Sequence, residues 1–393
     1  MKIITIIIFA LAATACTSTG DKETDDLDVA MPSTDEDEKS VTYADVVPTK
    51  PAGEKVPANA VMNWQSFFKA PPTTVQRKIL EAKLAKWIEK ETPDELVAKG
   101  RMEIAVGRLA AAETSLRRAL RLKPDHLDAS LELASLYIRQ RDLTRAFEFL
   151  AQVRDGIATS ENLPNEFVLK YRYTLALGYV HRGDRDKGHA ILSDLIGVDK
   201  GFAPAYAALA SSYLATGKEG VAEFVVRRGL DRCKDDPTLM NLMGVIAQRQ
   251  RQTDTALQWY ERALAAAPAF VPALVNRAIL HTKNLEYAAA EQDLVRALHH
   301  DPQNVEALVA LGIVQRKQGN ITAARASLSK AVDLRPDDAH ARFNLGVLMV
   351  DDLKRPSEAM RLFHEVMQTP GATEDVKRLA KTYLGELQQS SSL

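Results

Sequence analysis

One interval organises this chain. Laid on itself at an offset of 34 residues, the sequence falls into eight units beginning at Pro93, Leu127, Leu169, Ala203, Pro237, Val271, Val305 and Ala339. A repeat of that length is one supersecondary element, which buries its apolar face only by stacking on its neighbours. The eighth position of every unit is small: Gly100, Ala134, Ala176, Ala210, Gly244, Ala278, Gly312 and Gly346. So is the twentieth, at Ala112, Ala146, Gly188, Ala222, Ala256, Ala290, Ala324 and, after a one-residue insertion, Ala359. Position 24 is large and apolar, running Leu116, Leu150, Leu192, Val226, Tyr260, Leu294, Leu328 and Phe363. Position 32 is proline in four units, Pro124, Pro268, Pro302 and Pro336.

These positions describe pairs of antiparallel helices. Two backbones cross closely only where the side chains between them are small, which positions 8 and 20 provide. Position 24 is expected to fill the core between one pair and the next. Proline near position 32 stops the second helix, because it has no N–H for the helical ladder. Only 6% of the chain is aromatic and 46% is hydrophobic, enough to bury a core and weighted towards helix-forming Ala and Leu.

The eight units together resemble tetratricopeptide repeats over residues 93–373. That resemblance implies an all-α, right-handed superhelical solenoid of about eight helix-turn-helix units. Two departures stand out. No unit carries the family's Trp at position 4, where Leu96, Ser130, Arg172, Tyr206, Met240, Leu274, Leu308 and Arg342 stand. Units two and three start 42 residues apart, so eight extra residues near 159–166 predict a looser or kinked joint there. Past the array, Glu374 and Asp375 open a helix, and Val376, Leu379, Ala380, Tyr383, Leu384 and Leu387 form one apolar stripe. Residues 374–393 are therefore expected to be a capping helix and tail. Residues 73–92, with Val75, Ile79, Ala82 and Trp87 at helical spacing, read as a cap at the other end.

The N-terminus carries a different message. Lys2 precedes a 13-residue apolar run at residues 3–15, about 20 Å long as a helix and too short for a ~30 Å hydrocarbon core. Residues 1–15 have the form of a secretory signal peptide. Two endings are open. Ala13-Thr14-Ala15 suits ordinary cleavage, giving a soluble exported chain. The same residues followed by Cys16 resemble a bacterial lipobox, with Ala13 in place of the usual Leu, and imply a lipidated Cys16. Thr17 rather than Asp after that cysteine implies, by resemblance to Gram-negative lipoproteins, sorting to the outer membrane. Residues 16–72 then read as a disordered acidic linker. From residue 17 to 72 there are 11 acids, 5 lysines and six prolines, for a net charge of −6. Inside it, residues 63–68 (NWQSFF) form a lone aromatic cluster, expected to dock on the folded part or on a partner, the folded part being the plainer choice.

Catalysis has no foothold in this pattern. There is no GxSxG, HExxH, Walker A loop or GxGxxG, and the eight histidines are scattered. Cys16 and Cys233 are the two cysteines, which excludes a disulfide scaffold and paired-cysteine zinc sites. A net charge of −1 gives no whole-chain case for nucleic acid. The reading is a non-enzyme without cofactor, metal or small-molecule substrate, whose partners are proteins and, through Cys16, a membrane.

The resemblance also implies where a partner sits: on the concave face lined by each first helix, at positions 2, 5, 9, 12 and 13. Read on this chain, the groove draws on Tyr173, Asn241, Val275, Val309 and Phe343 at position 5 and His181, Arg249, Lys283 and Lys317 at position 13. Asn276 and Asn344, at position 6, are expected to hydrogen-bond a bound backbone. Position 5 is mostly apolar, which argues against the family's carboxylate clamp for chaperone tails. An apolar trough with a basic edge suits an amphipathic, acid-bearing segment. Tetratricopeptide lipoproteins serve pilus secretin assembly, polysaccharide export, outer-membrane protein insertion and gliding motility. The expectation is thus a tethered scaffold in the bacterial periplasm, in a gliding-motility or pilus-type machine, with a soluble periplasmic chaperone or adaptor as the alternative.

Overall fold

The computed structural model describes residues 74–87, 92–160 and 163–391. Cys16, the apolar start, the acidic linker and the aromatic cluster at 63–68 lie outside those residues. Eighteen α-helices and no strand occur among the described residues. A single helix, α1 (Thr74–Ala85), comes first. Eight hairpins follow: α2 (Pro93–Ala105) with α3 (Leu109–Leu122), α4 (Leu127–Arg139) with α5 (Leu143–Thr159), α6 (Asn165–Arg182) with α7 (Arg185–Val198), and α8 (Ala203–Ala215) with α9 (Glu219–Arg232). Then come α10 (Pro237–Arg249) with α11 (Thr253–Ala266), α12 (Val271–Lys283) with α13 (Tyr287–His300), α14 (Val305–Lys317) with α15 (Ile321–Leu334), and α16 (Ala339–Asp351) with α17 (Pro356–Gln368). A last helix, α18 (Glu374–Ser391), closes the chain. Seven of the eight first helices start on the residue that opens the sequence unit.

Local chemistry sets those starts. Thr92 caps α2 in a reciprocal box, its Oγ1 accepting from the Glu95 N–H (3.3 Å) while Glu95 Oε2 accepts from the Thr92 N–H (3.1 Å). Asp236, Asn304 and Asp338 each accept an N–H of the first turn of α10, α14 and α16. Between the two helices of every hairpin, position 15 adopts a left-handed backbone: Gly107, Arg141, Gly183, Gly217, Arg251, Leu285, Gly319 and, after the one-residue insertion, Lys354. That reversal was not read from the sequence, although glycine recurs there in four units.

The chain divides into two compact bodies at Lys234 and Asp235. In the body containing repeats one to four, a single core runs from Leu96 to Leu209. The looser joint expected after the second repeat is absent. The extra residues lengthen the flanking helices instead: α5 has 17 residues, against 14 in α3, and α6 starts four residues ahead of its unit. Ile157 and Phe167, on these extensions, enter the shared core, and the Phe147 ring packs on Tyr179 at 5.3 Å. In the body containing repeats five to eight, one cluster surrounds Tyr260 and another joins repeats seven and eight to α18. There, Phe343, Phe363 and Tyr383 pack ring on ring at 5.2–5.9 Å, holding α18 against the last hairpin.

Position 24 belongs to cores shared between repeats, and where position 8 is glycine its side chain also lies on position 8 of its own hairpin. A Cβ on Gly346 would stand 2.7 Å from the Phe363 ring, and one on Gly312 would stand 2.6 Å from Leu328. Glycine at position 8 is what lets the large ring or Leu of the second helix reach the backbone of the first.

Position 4, where the family's Trp is missing, is resolved by its partner at position 26. Arg172 is 2% exposed and pairs with Asp194. Arg342 pairs with Glu365 at 3.2 Å and donates to Thr369 Oγ1 at 3.0 Å. Where position 4 is Leu, Met or Tyr, position 26 is instead basic, at Arg118, Arg228, Arg262, Arg296 and Lys330. The sequence carries this exchange of sign, which in repeats three and eight marks a contact within the hairpin.

Candidate functional site

The first helices of successive repeats touch one another within each body, so positions along them share a face. In the body containing repeats one to four, that face is tied by charge. Arg101 on α2 donates to Asp128 and to Glu132 Oε1 (2.6 Å) on α4, and Lys170 on α6 donates to the same Glu132 oxygen at 2.6 Å. Burial alone would raise the Glu132 pKa, but Lys170 and Arg101 outweigh it and hold the carboxyl below its ordinary value. Three repeats are thereby joined across their first helices. This network was missed in the sequence because its members sit at positions 2, 6 and 9 of different units.

Tyr173 and His181 belong to this body. Tyr173 is half-buried, its ring edge-on to Phe202 at 5.4 Å, and burial raises its pKa. His181 is exposed at the end of α6, with its Nδ1 2.8 Å from Arg141 Nη1. Local desolvation and that guanidinium lower its pKa. Neither residue is placed with the remaining candidates, which all lie in the other body.

There the expected groove changes character. Val309 is 1% exposed and Phe343 0%, while Asn241 and Val275 are each 8% exposed. Position 5 therefore packs between helices and does not line an open trough. Asn276 Nδ2 donates to Asn241 Oδ1 at 3.0 Å, linking α12 to α10. Asn344 Nδ2 donates to the His340 carbonyl of its own helix at 2.8 Å. Each asparagine thus has one amide hydrogen engaged within the protein. Half-buried apolar residues on this face include Val245 and Ile313, at position 9, and Val350, at position 12.

The three expected cations share one register. Arg249, Lys283 and Lys317 end α10, α12 and α14, at the same position of three consecutive repeats. Arg249 and Lys283 are half-buried and Lys317 is exposed. Burial lowers the Lys283 pKa. The row stops at repeat eight, where Asp351 takes the same position and, with Asp352, binds Arg316. Among the described residues no group of three His, Cys, Asp or Glu side chains could hold a metal ion. No described helix is long and apolar enough to cross a membrane.

Hairpins of 34 residues with small residues at positions 8 and 20, stacked first helix on first helix, give the chain a fold of the tetratricopeptide-repeat type. A family model of that description matches residues 97–161, 275–339 and 309–366. The unmatched stretch between, including the lengthened α5–α6 joint, folds into the same hairpins. Among solved structures, the APC/C hetero-tetramer Cut9-Hcn1 shares the fold at a TM-score of 0.51 and 14% identity over 79% of this chain. This chain spans 58% of the length of that one. Pseudomonas aeruginosa PilF matches at 0.46 and 16% identity, covering 57% of this chain and 98% of its own. PilW, a type IV pilus biogenesis factor, matches at 0.45 and 20% identity, covering 54% of this chain and 98% of its own. No curated protein matches the sequence.

Proposed function

We propose that this protein is an interaction scaffold that serves an assembly machine of the bacterial envelope, tethered by lipid on Cys16 to the periplasmic face of the outer membrane. The observation that carries the binding reading is the row Arg249, Lys283 and Lys317, repeated at one position of three stacked first helices beside Val245 and Ile313. Side chains at one position of stacked helices recur at roughly 8–10 Å, the interaxial distance of packed helices. A segment carrying acids at that interval and apolar groups between them fits such a face. The family resemblance makes a pilus-type or gliding-motility machine the setting. The N-terminal sequence supports the location: an apolar start, small residues, then Cys16 and an acidic stretch of net charge −6. Several acyl chains, at ~0.8 kcal/mol per buried CH₂, would hold the protein at a membrane.

Two experiments test the halves separately. Partner recovered from native envelopes by cross-linking is expected to fall at least tenfold when Arg249, Lys283 and Lys317 are all changed to Glu; undiminished recovery removes the basic edge. Cys16→Ala is expected to move the protein from the membrane to the soluble periplasmic fraction. A wild-type protein already soluble there leaves the unanchored chaperone or adaptor reading in its place.

A further inference from the structure

A stack of repeats must finish its ends, and the two ends of this chain are finished differently. At the C-terminus, α18 turns Val376, Ala380 and Leu384 inward, each 7% exposed or less, and presents Arg378, Lys381 and Thr382 to solvent. At the N-terminus, α1 is a single helix whose exposed side mixes lysines with apolar surface. Ile79 is 51% exposed and Ala82 is exposed. With Trp87, Lys83, Lys86 and Glu95 they line an open groove of about 570 Å³. The Trp87 indole Nε1 is buried and finds no acceptor among the described residues. An apolar groove holding an unanswered N–H is the shape of a missing neighbour.

We propose that residues 63–68 (NWQSFF) of this same chain occupy the groove and complete the N-terminal cap. Three observations select that occupant. The first is reach: Phe68 and Thr74 are six residues apart, a span of at most about 21 Å when extended, comparable with the ~18 Å length of the 12-residue α1. Ile79 and Ala82, about 8 and 12 Å along the helix from Thr74, lie within that radius, and the pair Pro71-Pro72 favours a turn. The second is chemistry. Trp64, Phe67 and Phe68 supply apolar area, while Asn63, Gln65 and Ser66 each carry an acceptor for the Trp87 N–H. The third is charge: α1 and the residue after it carry Arg77, Lys78, Lys83 and Lys86 against Glu81, and residues 17–72 upstream bear a net −6.

Amide hydrogen exchange on the full chain tests this. A 12-residue helix is marginal on its own, so protection within α1 reports what packs against it. Trp64→Ala, Phe67→Ala and Phe68→Ala together should speed exchange of the residue 76–86 amides at least tenfold, leaving α4 to α9 unchanged. Equal exchange in the variant and the wild type overturns the proposal. Protection that rises with protein concentration also overturns it, naming a second copy as the occupant. A second measurement does not depend on removing side chains. With Cys16→Ser and Cys233→Ala, Phe67→Cys and Ala82→Cys should oxidise to an intramolecular disulfide, whereas Phe67→Cys with Glu148→Cys, on α5, should not. Failure of the first pair, equal oxidation of both pairs, or a purely intermolecular product counts against it.

Discussion

The two bodies use one repeat frame and treat the same face differently. In the body containing repeats one to four, the first helices are bound to one another by Arg101, Asp128, Glu132 and Lys170. In the body containing repeats five to eight, the corresponding link between α10 and α12 is a neutral one, Asn276 to Asn241. The cations Arg249, Lys283 and Lys317 stand beside it at the helix ends. Positions 8, 20 and 24 are held to narrow residue classes throughout because they set the distance between helices. Positions on the first-helix face are released from that constraint. In one body these positions carry a charged network, and in the other a neutral pair together with the Arg316–Asp351 link between α14 and α16.

The largest effect expected from this contrast follows removal of Glu132. Glu132→Ala leaves Lys170, 14% exposed, without its carboxylate, and breaking a buried pair from one side costs about 3 kcal/mol. Asn276→Ala, which orphans Asn241 in the other body, should cost about 1–2 kcal/mol, the penalty of one unsatisfied buried amide. Denaturant unfolding followed by exchange in each body measures both, and equal losses would erase the distinction. Acid separates the bodies as well. The Glu132 pKa lies below its ordinary 4.5, so its stabilisation is present above that pH and is lost as pH falls through the lowered value. Asp236, at the start of α10, goes the other way: burial raises its pKa, so protonating it relieves the folded state. Exchange in repeats one to three should therefore accelerate first as the pH drops from 5 towards 3. Earlier opening of repeats five to eight would reverse the assignment.

Next in size is the position 8 contact. Gly244 lies under the Tyr260 ring and Gly346 under Phe363, whereas Gly100 faces the branched end of Leu116. A ring cannot fold aside as a Leu side chain can. Gly244→Ala and Gly346→Ala should each destabilise their body by about 1–3 kcal/mol, the usual range for overpacking. Gly100→Ala should cost less. A thermal melt placing Gly100→Ala at or below the other two would show that Leu116 is the more rigid neighbour.

The frame of the fold was legible in the sequence because two helices pack only when their crossings are small and evenly spaced, and Ala and Gly at 34-residue intervals state that directly. The insertion after repeat two was misjudged because residues 159–166 contain Pro164 and Asn165, which read as a loop. Yet Pro164 only precedes α6, and Ile157 and Phe167 give the added turns a core to enter. The groove was less legible. Position 5 was placed on the open face by resemblance, but Phe343 meets Phe363 and Tyr383, and Tyr383 comes from a helix outside the repeat. Whether a residue on a helix face stays open depends on what the next element lays over it, and a position within one repeat does not encode that. The cations Arg249, Lys283 and Lys317 were easier to place, because one register position puts each at the end of its helix.

The smallest expected effect concerns position 15, where the bodies differ in backbone chemistry. The N-terminal body places Gly107, Gly183 and Gly217 there and one Arg141; the C-terminal body places Arg251, Leu285 and Lys354 and one Gly319. All eight hold positive φ, which crowds Cβ against the backbone in every residue but glycine. Leu285, at φ 65° and 70% exposed, gains little from burial to offset that strain. Leu285→Gly gives up the Cβ clash but also widens the unfolded ensemble, so the two effects partly cancel. The net expectation is a gain of about 0.5–1 kcal/mol for Leu285→Gly and a loss of about 1 kcal/mol for Gly217→Ala. Opposite signs for the same swap, read by chemical denaturation, would establish that the backbone dictates the residue. A loss for Leu285→Gly would show instead that this exposed side chain is held in place by contacts stronger than its strain.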